Sequence, residues 1–333
     1  MAAGNGDVAT ERIGPRKREG VARAAGLRRI VGAGHPEQRR GELARVIRDI
    51  GARGGTEEAQ IDRRRGGNLG RIRARRAKSD VDESRGLIAL ADGDKIGIVL
   101  MHGEQGAPGR VIDGLGQALE KAGYLVGRPD MCWSTRRAYE ATFPECLALI
   151  DDAIVKLKNL GASAIVVGGF SLGGNAAIAY GADHIGLLGI FAIAPTHDAL
   201  ALTENADVAA SIAHASELVA AGKGDETATL IDIAFGPAGP YATEIATTPA
   251  IYLSFFGPAS HANISDNARK LAAPLLWVAG ADDPTQSGGP GYAFAHAPAN
   301  SLNRYVTIAG GHPGAPDRAR DAVLAWLKDV ARQ

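Results

Sequence analysis

From residue 95 onward, apolar and polar positions follow two alternating rhythms. Short apolar runs rich in β-branched residues, at 95–102, 124–130, 163–169, 187–194, 274–280 and 304–308, read as strands, most of them buried. Between them lie helical periods. Residues 111–122 put Ile112, Leu115, Leu119 and Ala122 on one face before Gly123, and 144–160 put Leu147, Ile150, Ile154 and Leu157 on one stripe before Gly161. A closing helix from about residue 316 aligns Ala319, Ala322, Val323, Trp326, Leu327 and Val330. Strands alternating with helices at this spacing require right-handed crossovers. They predict an α/β chain with a mostly parallel central sheet covered by helices on both faces. The rhythm breaks between residues 196 and 271. That stretch holds a helical pattern at 208–221, a Gly/Pro-rich segment at 235–240 and the aromatic group Tyr252, Phe255 and Phe256. It reads as an insertion capping the C-terminal edge of the sheet, after the strand at 187–194.

Composition changes the picture at the N-terminus. The chain has 333 residues, 45% of them hydrophobic, enough for a substantial core. The first 85 residues contain no Phe, Tyr or Trp and carry 21 Lys and Arg against 12 Asp and Glu, an excess that the rest of the neutral chain offsets. A stretch so poor in large apolar side chains cannot offset the entropy of ordering it, so residues 1–85 are expected to be a basic, disordered extension and 86–333 the folded domain. A short helical pattern at 43–50 and a strand candidate at 87–91 are the exceptions. Nucleic acid is not an expected partner: no aromatics are interleaved for stacking, and acidic residues are scattered through the arm. No run of eighteen apolar residues predicts a membrane span, and no apolar segment follows the N-terminal charges. The chain as written is therefore expected in the cytoplasm. The periplasm or export is the alternative if the true N-terminus carries a signal not present in this sequence. Cys132 and Cys146 are too few for a disulfide framework, and no His or Cys stands at zinc-ligand spacing. Two buried thiols are expected, with a disulfide between them left open.

Candidate chemistry centres on Ser171. The run Ile165-Val166-Val167-Gly168-Gly169-Phe170-Ser171-Leu172-Gly173-Gly174 passes from a strand through G-x-S-x-G into a helix. A turn this tight forces the serine into a strained backbone conformation, and a Cβ at Gly169 or Gly173 would collide with the neighbouring chain. The serine oxygen then stands at the mouth of the sheet, with helix N–H groups behind it.

With this elbow, an H-G-x-x-G turn at His102–Gly106, an Asp-Pro turn at Asp283 and a Gly-Gly-His loop at His312, the chain from about residue 95 onward resembles the α/β-hydrolase fold family. It is most similar to small bacterial hydrolases whose substrates are mostly unassigned. The family order of nucleophile, acid and histidine is kept. The leading antiparallel strands usual in the family are not evident before residue 95. The resemblance implies a triad of Ser171, His312 and Asp283, with Asp282 and Asp198 as the other acids weighed. His312 is favoured among the eight histidines because it follows the last strand at the same sheet edge as the elbow. His102 belongs to the oxyanion turn, His184 and His214 to helices, and His261 to the insertion. The implied oxyanion donors are the backbone N–H groups of Leu172 and Glu104, each worth roughly 3 to 4 kcal/mol where such a donor has been removed elsewhere. His102, Trp133, Tyr252, Phe255 and Phe256 are candidate substrate-pocket residues. A serine at the elbow argues against the dehalogenase and epoxide-hydrolase branches, which place an aspartate there.

The implied activity is hydrolysis of an ester-type, small-molecule acyl substrate through an acyl-enzyme, with no metal and no organic cofactor. An acyltransferase or thioesterase on the same triad, and a non-catalytic binding module of the same fold, are the alternatives. The sequence sets no oligomeric state.

Overall fold

A computed structural model describes residues 95–236 and 239–332. The expected extension over residues 1–85, the helical pattern at 43–50 and the strand candidate at 87–91 lie outside the described residues. Six parallel strands form one sheet in the order β2-β1-β3-β4-β7-β8. They are β1 (Lys95–Met101), β2 (Leu125–Gly127), β3 (Ala162–Phe170), β4 (Gly189–Ile193), β7 (Leu275–Gly280) and β8 (Arg304–Ile308). Each central strand sends alternate side chains into two apolar layers, which is why it reads as continuously hydrophobic. In β3, Ile165 and Val167 face one layer while Ala164 and Val166 face the other. Helices α1 (Asp113–Lys121) and α10 (Arg320–Val330) cover the second layer with Ile112, Leu115, Trp326 and Leu327 nearby. The first is covered by α2 (Phe143–Asn159) and α3 (Leu172–Asp183).

Local signals account for the element ends. A capping box opens α2, where Thr142 and Glu145 satisfy each other's first-turn groups and Pro144 occupies a position that needs no N–H. Two expectations shift. The strand expected at 124–130 keeps only three ladder residues, because β2 is an edge strand paired on one side. The single closing helix is divided at Ala319 into α9 (Ala315–Arg318) and α10, with the apolar stripe still facing inward.

Between β4 and β7 lie α4 (Ala199–Leu202), α5 (Ala206–Ala220), the antiparallel pair β5 (Ala228–Gly236) and β6 (Gly239–Thr247), α6 (Pro249–Phe256) and α7 (Ile264–Ala268). The Gly/Pro-rich segment at 235–240 therefore contributes to the ladder, Phe235 pairing with Pro240 and Gly236 with Gly239. The loop after β2 is joined to α2 by a disulfide between Cys132 and Cys146, whose Cα atoms are 5.6 Å apart, inside the range such a bond needs. The two-thiol expectation is corrected accordingly: the turn of α2 carries Cys146 back against the loop. Among the described residues, no helix is long and apolar enough to cross a membrane.

Candidate active site

Ser171 stands between β3 and α3 with φ 56° and ψ −124°, a conformation rarely adopted by a residue with a side chain. A Cβ on Gly169 would run into the carbonyl of Gly173, and one on Gly173 would come within 2.6 Å of the carbonyls of Met101 and His102. Both glycines are thus required for the elbow to sit against β1. From this turn Ser171 Oγ reaches His312 Nε2 at 3.0 Å, and His312 Nδ1 reaches Asp283 Oδ2 at 2.7 Å. The loops after β3, β7 and β8 supply the three side chains, all buried.

The other carboxyl of the Asp-Asp turn, Asp282, is exposed. Asp198 is buried but committed elsewhere, accepting from the amides of Leu200 and Ile264 and from the Tyr292 hydroxyl. The free Asp283 oxygen, Oδ1, accepts from the Thr285 amide at 3.0 Å and its hydroxyl at 2.7 Å. Burial opposes the Asp283 charge, but the hydrogen bond and charge of His312, with those Thr285 bonds, outweigh it and hold the carboxyl below its ordinary range. Phe170 and Phe235 flank the His312 ring, with centroids 4.8 and 5.4 Å away.

Similarity to solved structures follows the same frame. One match comes from the pair LipS and LipT, two metagenome-derived lipolytic enzymes, at 19% identity and TM-score 0.52 over 72% of this chain and 95% of that one. DcsB in complex with a substrate analogue matches at 14% identity and TM-score 0.56, over 73% and 92%. The monoacylglycerol lipase of Paleococcus ferrophilus matches at 21% identity and TM-score 0.52, over 71% and 95%. No family model and no curated protein matches the sequence. The six-stranded parallel sheet between helix layers, together with near-complete cover of those chains, decides the architecture. The chain has the α/β-hydrolase fold.

In this α/β-hydrolase fold the turn after β1 lies beside the elbow: a Cβ on Gly103 would approach the Ser171 Cβ to 2.9 Å. His102 braces that turn. Its Nε2 accepts from the Met131 amide at 3.1 Å, so its proton is on Nδ1, which donates to the Gly103 carbonyl at 2.7 Å. Burial lowers its pKa and keeps the ring neutral. Trp133 donates to the His102 carbonyl at 3.1 Å.

The α/β-hydrolase frame separates the other pocket candidates from the site. Trp133, Tyr252, Phe255 and Phe256 are fully buried in one aromatic cluster, where Phe255 packs on Tyr139 and Phe143 with centroids 4.9 and 5.2 Å away. They belong to the interior because α6 turns that face toward α2 and the loop after β2. A cavity of about 240 Å³ at Ser171 is lined instead by Glu104, Phe170, Phe235, Tyr241 and His312, among others. A neighbouring cavity of about 460 Å³ shares Phe235 and is lined by Leu202, Ile264 and Tyr292. Thr196, not singled out in the sequence, lines that second cavity, and its hydroxyl lies 2.9 Å from Ser171 Oγ. A buried polar group of Glu104, His197, Asp232 and Tyr139 was equally invisible to motif reading, since its members come from four separate segments.

Proposed function

We propose that this chain is a serine hydrolase cleaving an ester-type bond through Ser171, His312 and Asp283. The observation that carries the reading is the unbroken row from Ser171 Oγ through both ring nitrogens of His312 to Asp283, at 3.0 and 2.7 Å. An ionised Asp283 accepts from the Nδ1 proton and so leaves Nε2 as the base. Nε2 takes the serine proton as Oγ attacks the acyl carbon. The oxyanion is met by the amides of Leu172 and Glu104 and by the positive end of α3. The imidazolium then protonates the leaving alcohol, and water activated by the same nitrogen releases the acyl group.

Residues 196–271 are read as a cap over this centre. Thr196 joins the larger cavity to the nucleophile through one hydrogen bond, and its neighbours Leu202, Phe235 and Ile264 favour an apolar acyl group there. The lipolytic and lipase descriptions of two structural relatives agree with an apolar ester as substrate. A fluorophosphonate probe tests the nucleophile: wild type is expected to be labelled and a folded Ser171→Ala variant not. Folded wild type that takes no label overturns the reading. A p-nitrophenyl ester series is expected to give a chain-length optimum set by the larger cavity.

A further inference from the structure

We propose that Glu104, His197 and Asp232 bind a first-row divalent cation of the Zn²⁺ class, tying the β5–β6 hairpin to the turns after β1 and β4. His197 Nδ1 lies 3.9 Å from Glu104 Oε2 and 3.9 Å from Asp232 Oδ1, and the three donor atoms all lie within 4.8 Å of one another. Zinc bonds of about 2.0–2.2 Å at tetrahedral angles place donors roughly 3.4 Å apart, so the two pairs at 3.9 Å need to close by about half an ångström around an ion. One imidazole and two carboxylates suit zinc and its neighbours, with water at the remaining position.

The case rests on His197. Its side chain is 3% exposed, its Nε2 is buried without a hydrogen-bond partner, and Nδ1 stands beyond hydrogen-bond range of the two carboxylates it faces. Nδ1 is thus the ring nitrogen of His197 open to a ligand, facing both carboxylates. Its backbone is also held at φ 64°, with its carbonyl accepting from Asn175 Nδ2 at 2.8 Å, and Phe256 packs T-shaped on the ring at 4.5 Å. Such over-determined strain fits a residue positioned for a ligand.

The carboxylates point the same way. Asp232 is fully buried and accepts from the Tyr139 hydroxyl at 3.1 Å and from the Ile233 amide at 2.6 Å. Glu104 is 11% exposed, and among the described residues neither carboxylate pairs with a Lys or Arg. A proton held by Glu104 relieves the repulsion between the two acids, and burial followed by the Asp232 charge does push its pKa well up. That arrangement leaves His197 unpartnered. A cation held by His197 Nδ1 and one oxygen of each carboxylate joins all three groups.

The test uses the full chain, freed of metal by a chelator and titrated with ZnCl₂ in a calorimeter. One Zn²⁺ per chain at micromolar affinity or tighter is expected, with a higher melting temperature after loading. Asp232→Asn and His197→Gln are each expected to weaken binding about 100-fold or more, since even the outer partners of metal ligands are worth 10- to 100-fold. Ser171→Ala and His312→Ala should keep stoichiometry and affinity. Loss of binding in those two would put the ion at the serine centre and overturn this proposal while leaving the hydrolase reading standing. Absence of saturable binding, or affinity unchanged in Asp232→Asn and His197→Gln, overturns it as well. Should Asp232→Asn fail to fold, His197→Gln and the visible absorption of Co²⁺-loaded wild type decide between the same outcomes.

Discussion

Ser171 keeps a backbone conformation that costs roughly 1–3 kcal/mol because its neighbours leave it no other. Its amide donates to the Ile193 carbonyl at 3.0 Å, and its own carbonyl accepts from the amides of Gly174 and Asn175. Asn175 then fastens the loop after β4, donating through Nδ2 to the carbonyls of Thr196, His197 and Ala262 at 3.2, 2.8 and 2.9 Å. At Asp283 the same residue-scale physics yields a pH dependence. A carboxyl depressed in the folded state adds stability above its unfolded pKa, about 3.9, and loses that contribution as pH falls through the lower folded value. Urea midpoints compared at about pH 6 and about pH 3 are expected to fall further for wild type than for Asp283→Asn. Near neutral pH that variant should lose roughly 10³- to 10⁴-fold in kcat on a p-nitrophenyl ester, because the histidine tautomer is no longer held.

At the scale of elements, the segment between β4 and β7 owes its cohesion to α6. Phe255 sits among Trp133, Tyr139 and Phe143, while Tyr252 and Phe256 stack with centroids 4.2 Å apart. Truncating Phe255 to alanine should cost about 3–5 kcal/mol in a denaturant melt, the price of emptying a packed aromatic site. Its KM for the ester that wild type prefers should stay nearly unchanged, whereas a residue on the cavity wall would change it. Sequence periodicity could locate this aromatic group but not decide which way it faced, because an eight-residue helix with apolar residues all round has no marked inner side. The hairpin was obscured for a different reason. Pro and Gly in the sequence at 235–240 signal a loop, and the alternation in β5 is broken by Asp232, a buried acid at an inward position.

At the scale of the molecule, the sheet gathers at one edge three loops far apart in the chain. Ser171, Asp283 and His312 were legible because each ends a strand that can be recognised from its own residues, and the parallel order brings those ends together. Thr196, His197 and Asp232 carry no such local mark. Their neighbours depend on how the hairpin folds back over the sheet, which no short stretch of sequence encodes. The basic arm makes no contribution to this reading, so a chain lacking residues 1–85 should turn over a p-nitrophenyl ester at the wild-type rate; a large loss in steady-state assays would give the arm a part in the site. The link from Cys132 to Cys146 bears on where such a molecule matures. It encloses the stretch holding Trp133 and Tyr139, the aromatic floor beneath the turn after β1. Glutathione and thioredoxin in a reducing cytosol work against such a bond, whereas an oxidising periplasm or extracellular medium preserves it. The link is therefore expected to open where thiol reductants are abundant and to stay closed where they are scarce, and with it the hold on this floor.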